Sequence, residues 1–392
     1  MASWTSALFV ALLCATTAFA EPQWQVITNN FMDICIGVAG LEDGTLYVAG
    51  GKNGVGAQIM RSSDTGLNWE ALPIGFEMFF MDIDVTEARN GISSGLGMFH
   101  VMSGLEFTTD GDAFASTTDT FLATAFQNVE AGLNSSSLYA VGLWQQGLTD
   151  LAYNGVISSS DNGATLNYHG WGSDIQARYG SFPSDQVWYV TGGYWPYESV
   201  KNAKGIEKRF DANGFMFSER VRLSVGKGRS QQKIVERTER TAESGYYGVI
   251  SKTEDGGQTF KVVFETEAFY FNGISCASET HCVAVGEGDA AGFIMTTTDG
   301  GATWQETLAD PGMGLLQTMF RNETEVWAVG GGSSRGTLFS KFYHSVDGGL
   351  TWDTESHVIE GVYANAVDVL ADGRAYATAF LANGLSAVLG YF

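Results

Sequence analysis

At 392 residues, 44% of them apolar, the chain is long enough to bury a large core, and a formal charge of -23 argues against nucleic acid or an anionic membrane as partner of its main body. Fifty glycines, five prolines and 13% aromatics exclude general disorder and suit many short strands joined by tight turns. No segment after the first twenty residues has the ~20 unbroken apolar residues of a membrane span.

The chain opens with MASWTSALFVALLCATTAFA, an uncharged apolar run closed by Ala18, Phe19 and Ala20 in the small-x-small order that a signal peptidase cuts. Residues 1–20 are therefore expected to be a signal peptide and Glu21 the mature N-terminus of an exported, secreted or secretory-lumen protein. The lack of Lys or Arg near the start leaves a core strand as the other reading. QWQVIT at Gln23 then has the length of one strand.

A corner recurs along the rest of the chain: SSDTGLNW at Ser62, TTDGDAFA at Thr108, SSDNGATL at Ser159, TEDGGQTF at Thr253, TTDGGATW at Thr297 and SVDGGLTW at Ser345. Its aspartates, Asp64, Asp110, Asp161, Asp255, Asp299 and Asp347, are spaced 46, 51, 94, 44 and 48 residues apart. A period of 40 to 50 residues with several strands per repeat is the signature of a β-propeller. The doubled interval is either a blade without its corner or a blade carrying an insertion.

Strands ending in glycine decide between these. TLYVAGG, SLYAVGL, VWYVTGG, HCVAVGE and EVWAVGG, with NGISSGL and RAYATAF as weaker copies, make seven. The preceding strands place Asp33, Asp82, Gln127, Gln176, Asn272, Gln317 and Asn365 at one expected position, a polar ring lining the channel or bracing neighbouring blades. Of these, only Asp33 and Asp82 could act as an acid and base together. The expected fold is all-β, a seven-bladed propeller over residues 21–392 in one domain, with an arm inserted at 194–245 in blade four. After the last corner the chain supplies only three more strands, so the N-terminal strand is expected to close the last blade.

The corners resemble Asp-box (BNR) repeats, Ser/Thr-x-Asp-x-Gly-x-Thr-Trp, of sialidases, sortilin-type receptors and photosystem II assembly factors. FNGISCASETHCVAVGEG followed by TTDGGATW is most similar to the last group, and the likeness covers the mature chain except 194–245. The resemblance implies that each box is a structural turn between third and fourth strands. In such blades the first-to-second turns share the face of these corners, whereas the second-to-third loops and inter-blade connections lie on the other, here called the loop face.

The corner face is expected to carry the Cys276–Cys282 pair of SCASETHC and the sequons at Asn134 and Asn322, which would glycosylate an exposed underside. Two buried thiols are the alternative to a bridge, and Cys35 reads as a buried filler. The loop face gathers Trp144, Trp171, Tyr194, Trp195 and Tyr197, aromatics suited to a sugar ring or a peptide or, alternatively, to seating the insertion. Within the insertion Arg229, Lys233, Arg237 and Arg240 fall on one face if the segment is helical, and Arg237 and Arg240 are expected to steer an acidic partner.

Function follows by exclusion. A sialidase-like glycoside hydrolase is the alternative reading, but the Arg-Ile-Pro tripeptide of that family does not occur, and of the arginines outside the insertion only Arg178 and Arg335 are placed to reach the loop face. The five histidines are scattered, with no metal-ligand spacing and no phosphate loop, so neither metal nor cofactor is expected. The expected function is a non-catalytic exported propeller that binds a protein or a glycan.

Overall fold

Strand-forming runs of alternating β-branched, aromatic and small residues are cut by glycine turns every few residues along the chain. The computed structural model describes residues 22–29, 31–52, 56–119, 121–132, 136–147, 152–171, 175–194, 246–334 and 336–392. The described residues form an all-β propeller of twenty-eight strands in seven antiparallel groups of four. The inner strands, first in each blade, are Ile34–Gly40, Phe79–Val85, Ala123–Ala131, Ala177–Ser181, Phe269–Cys276, Met313–Phe320 and Val362–Val369. Blades two and three join into one sheet where Ala123–Ala125 pairs with Leu96–Met98. Among the described residues no helix is long and apolar enough to cross a membrane.

The second strand of each blade is buried on both faces because each blade is sandwiched between two others, whereas the fourth strands of blades one to six are largely exposed. Seven apolar clusters result, one at every seam. The fourth strand of the last blade is Trp24–Asn29, paired antiparallel with Ser386–Tyr391. Trp24 is 8% exposed and stacks on Phe342 of blade six at 4.0 Å, with Tyr391 at 5.6 Å. The first described strand thus covers the edge of the last blade and fastens it to its neighbour.

The six corners lie between third and fourth strands of blades one to six, and blade seven has none because its third and fourth strands come from opposite ends of the chain. In the corner at Asp299, the Thr297 hydroxyl donates to Oδ1 at 2.9 Å and accepts the Gly301 N–H at 3.0 Å. Oδ1 also accepts the Thr303 N–H at 2.9 Å, and Oδ2 accepts the Thr303 hydroxyl at 2.6 Å. Gly300 and Gly301 both sit at positive φ, 75° and 83°, which side chains resist. Thr65 and Asn162 take the first of these two positions in their corners. At Asp110 only Gly111 turns left-handed, so that corner is a shortened copy.

A second bond locks the corners. The first left-handed N–H donates to a carbonyl of the first-to-second turn in its own blade: Thr65 to Gly44, Asn162 to Ser136, Gly256 to Gln186, Gly300 to Thr280 and Gly348 to Thr324. The two turns therefore share one face and brace each other. The bonds received by each carboxylate, that from the side chain at position 68, 259, 303 or 351 being the largest, hold Asp64, Asp255, Asp299 and Asp347 down at about 2.

Every inner strand carries one bulge, at Ile36, Met81, Gln127, Arg178, Asn272, Leu316 and Asn365. Beyond it, side chains of one blade accept N–H groups from the free edge of the next. One residue past the bulge, Asp82 accepts Val129 N–H at 3.0 Å, Asn128 accepts Gly180 at 2.8 Å and Gln317 accepts Val367 at 2.6 Å. Three residues past it, Asp84 accepts Ala131, Glu130 accepts Phe182, Ser181 accepts Cys276, Ser275 accepts Phe320 and Asp368 accepts Gly40, all at 2.7 to 3.1 Å. The seam of blades one and two uses contact instead: a Cβ on Gly37 would stand 2.7 Å from Ile83 N.

These ties bury carboxyl groups. Desolvation, the largest cause in each case, lifts Asp82 to about 7, Glu130 to about 8 and Asp368 to about 7, and raises Asp84.

Two outcomes are expected. Trp24→Ala should lower unfolding stability by about 3–5 kcal/mol in urea titration, the cost of emptying a packed tryptophan site; an unchanged midpoint would show that the N-terminal strand does not hold the last blade. The second concerns pH. Because folding raises the channel carboxyls above their unfolded values of about 4, the folded state binds extra protons, and stability falls as pH climbs from about 4 to about 8. The corner aspartates act oppositely, losing their contribution as pH drops toward 2. The melting temperature should therefore be higher at pH 5 than at pH 8. Glu130→Gln, which keeps an oxygen for Phe182, should flatten that slope; an unaltered slope would refute the assignment.

Candidate functional site

The bulges set the true alignment of the inner strands, and it corrects the polar ring. Gln127, Asn272 and Asn365 are equivalent bulge residues, but Asp82 and Gln317 lie one residue beyond their bulges, Gln176 two before, and Asp33 three before, outside its strand. An unseen extra residue in each strand shifts side chains between faces, so matching polar letters by eye misaligns them. Asp33 and Asp82 thus stand at different levels and do not form an acid–base pair. Asn272 and Asn365 donate to Leu315 and Cys35 carbonyls of the following blade, at 2.9 and 3.4 Å, which is bracing.

Each inner strand starts at the loop face and runs toward the corner face, so the bulges lie on the loop-face side of the ties. The deep part encloses a cavity of about 50 Å³ lined by Asp82, Asp84, Glu130, Gln317 and Asp368. That is far below the ~300 Å³ of an ordinary ligand pocket. Among the described residues no group of three His, Cys, Asp or Glu stands together as a metal site.

The loop-face end is different. Arg178, the bulge residue of blade four, is 4% exposed, and its guanidinium lies 5.1 Å from the ring of Tyr270 and 5.8 Å from that of Tyr179. Among the described residues its Nε has no hydrogen-bond partner, and neither do the enclosed Gln176 Nε2, two residues before it, and Gln127 Oε1 of the bulge residue of blade three.

The aromatic group divides. Trp144 is 2% exposed, between Phe126 and Tyr153 at 6.2 and 5.9 Å. Trp171 is also 2% exposed and donates Nε1–H to the Ile175 carbonyl at 3.0 Å. Both belong to the cores flanking blade three, so neither presents a ring face to a ligand; the expectation fails for these two because an aromatic cluster reads alike in a core and at a surface. Tyr194 ends its strand opposite Tyr247 and stacks on it at 5.5 Å, half-buried. Trp195, Tyr197, Arg237 and Arg240 lie outside the described residues.

Sequence reasoning passed over three exposed apolar side chains on the loop face. Phe76 in the connection from blade one to blade two is 69% exposed, and Phe99 and Val101 in the second-to-third loop of blade two are 69% and 63% exposed. Phe99 and His100 both take left-handed φ, 59° and 58°, an uncommon strain that holds the loop tip outward. No repeat or periodicity marks them, since the signal is exposure itself.

On the corner face, Cys276 and Cys282 are opposed in the ladder and joined by a disulfide. Cys35 is a buried free thiol, pushed up to about 12 by desolvation, and so is unreactive. Asn322 is exposed in a first-to-second turn, where its Oδ1 accepts Thr324 and Glu325 N–H groups; Asn134 lies outside the described residues.

No protein-family model and no curated protein sequence matches this chain. Solved structures do. A structure described as YCF48 bound to D1 peptide is similar with a TM-score of 0.56 and 14% identity, over 95% of this chain and 98% of that one. YCF48 from Cyanidioschyzon merolae is similar with a TM-score of 0.53 and 12% identity, over 94% and 98% of the two chains. The WD40 domain of Toxoplasma gondii coronin is similar with a TM-score of 0.53 and 10% identity, over 95% and 86%. At these identities the likeness is one of fold, and the fold is the β-propeller.

Proposed function

We propose that this protein is an exported, non-catalytic β-propeller of the Asp-box type, with residues 1–20 as its signal peptide and the sequons at Asn134 and Asn322 as glycan sites, that binds a protein or glycan partner through its loop face. The observation that carries this reading is the place of the insertion. The ladder of blade four runs unbroken to the pair Tyr194 and Tyr247, so residues 195–245 leave and return at adjacent positions of one loop-face hairpin, as a grafted binding loop does. Its charge supports the same reading. Residues 194–245 hold 11 Lys and Arg against 7 Asp and Glu, a net of +4, which leaves -23 - 4 = -27 on the remainder. A cationic arm on an acidic body attracts an acidic partner to one place only.

Around the arm's root, Tyr194 and Tyr246 with Trp195 and Tyr197 would supply contact area, Arg237 and Arg240 would supply steering, and the outward Phe99 would extend the surface. The similar YCF48 structure holds a D1 peptide, which favours a polypeptide partner over a glycan.

Excising residues 196–244 and joining the strands by an Asn-Gly turn tests the reading, because the flanking ladder is already in register. The mature protein and the excised variant should melt within a few degrees of each other, while a partner captured by cross-linking, or a hit on a glycan array, should be lost from the variant. Equal binding by both would sink the proposal. Turnover of a sialoside by the mature protein would replace it with the hydrolase reading.

A further inference from the structure

The described arginines other than Arg178 all hold carboxylates. Arg61 bridges Glu70 and Asp112, Arg89 holds Asp43 at 2.6 Å, Arg321 holds Glu325 at 2.6 Å and Arg374 holds Asp372 at 2.7 Å. Carboxylates are not scarce, since the chain has 44 Asp and Glu against 21 Lys and Arg. Arg178 is the most enclosed of the set and yet has none among the described residues. A guanidinium does not shed its proton, and burying it without an anion costs several kcal/mol.

The carboxyls felt at the neighbouring Tyr179 belong to Asp82 and Glu287, and both are engaged elsewhere. Asp82 accepts Val129 N–H and the Asn128 amide, each at 3.0 Å, and Glu287 accepts the Tyr270 hydroxyl. Two tyrosine rings lie within cation–π range of the guanidinium, and the Tyr179 hydroxyl is a hydrogen-bond partner of it, but its Nε–H is left unspent. Gln176 Nε2, two residues earlier and just ahead of the strand, is a second donor without a partner, and Gln127, the bulge residue of blade three and so the equivalent of Arg178, has an Oε1 without one.

We propose that the loop-face end of the channel is a carboxylate-binding subsite in which Arg178 is the anchoring cation and Gln176 and Gln127 are the flanking amides. The guanidinium fork grips two oxygens of one carboxylate, and the amides, able to turn either end inward, complete its hydrogen bonds. The carboxylate comes either free, as a small organic acid, or on the acidic side chain of a bound polypeptide. The subsite deepens the binding-module reading and rests on it.

Calorimetric titration of the mature chain at low salt tests the subsite, with glutarate as the free acid, an acetylated and amidated Glu-containing hexapeptide as the second source, and glutaramide as the uncharged control. Glutarate, the peptide or both should bind saturably and glutaramide should not; the stronger of the two acids names the source. Arg178→Gln should weaken that binding at least tenfold, Arg178→Lys less, since a lysine keeps the charge without the fork. Gln176→Ala, should the arginine variant fail to fold, is expected to weaken binding several-fold with an unchanged melting temperature. Absence of binding by both acids, or equal binding by a folded Arg178→Gln protein, overturns the subsite. Partner capture that survives Arg178→Gln but fails on excision of the arm would overturn the subsite alone and leave the wider reading standing.

Discussion

Seven inner strands each turn one hydrogen-bonding edge toward the channel, and the rest of the molecule depends on satisfying those edges. A strand edge without partners invites the wrong pairing and leaves buried N–H groups without a bond. At six of the seven seams the partner is a side chain from the preceding blade, at one or two fixed steps past a bulge. The bulge makes this possible, because the extra residue bends the inner strand and re-aims the next side chains across the seam. Hydrogen bonds of this kind contribute about 0.5–1.5 kcal/mol each when neutral and more when charged, and they also fix the angle between blades. Packing then fills the seams, one apolar cluster apiece.

The outer part of each blade is held by a different device, and that one is written locally. A hydroxyl, an aspartate two residues on and two left-handed positions after it lie within eight letters of one another, so the corners are legible in the sequence down to the individual bond: Thr303 N–H to Asp299 is what the motif requires. Strand count, blade count and the role of Trp24–Asn29 are legible for the same reason, since they depend on spacing alone. The inner ring is not local. Its alignment depends on where each strand carries its extra residue, and only the backbone register shows that Gln176 and Asp33 are out of place while Gln127 is in it.

The candidate site shows the same division. Trp144, Trp171 and Tyr194 are recognisable as a group, because they cluster around the insertion in sequence, but burial separates them: two seat the cores and one stands at the root of the arm. Composition has no term for that. Arg178 is legible in the sequence as one of two arginines outside the insertion placed to reach the loop face, but its want of a carboxylate shows only when the other described arginines are seen with theirs. Phe99 required its exposure and its left-handed backbone together.

The formal charge of the chain overstates the field at that end of the channel. Counting every carboxyl as ionised yields -23, yet Asp82, Glu130 and Asp368, raised to about 7, 8 and 7 by burial, are protonated to a large extent at neutral pH. The ties survive protonation because a carboxyl group still accepts an N–H through its carbonyl oxygen. What changes is the potential along the axis. With those three carboxyls partly protonated, the deep channel carries less negative charge than its composition implies, and the guanidinium of Arg178 stands on the loop-face side of it. The same burial that braces the ring therefore lets a strongly acidic protein keep one end of its axis receptive to an anion.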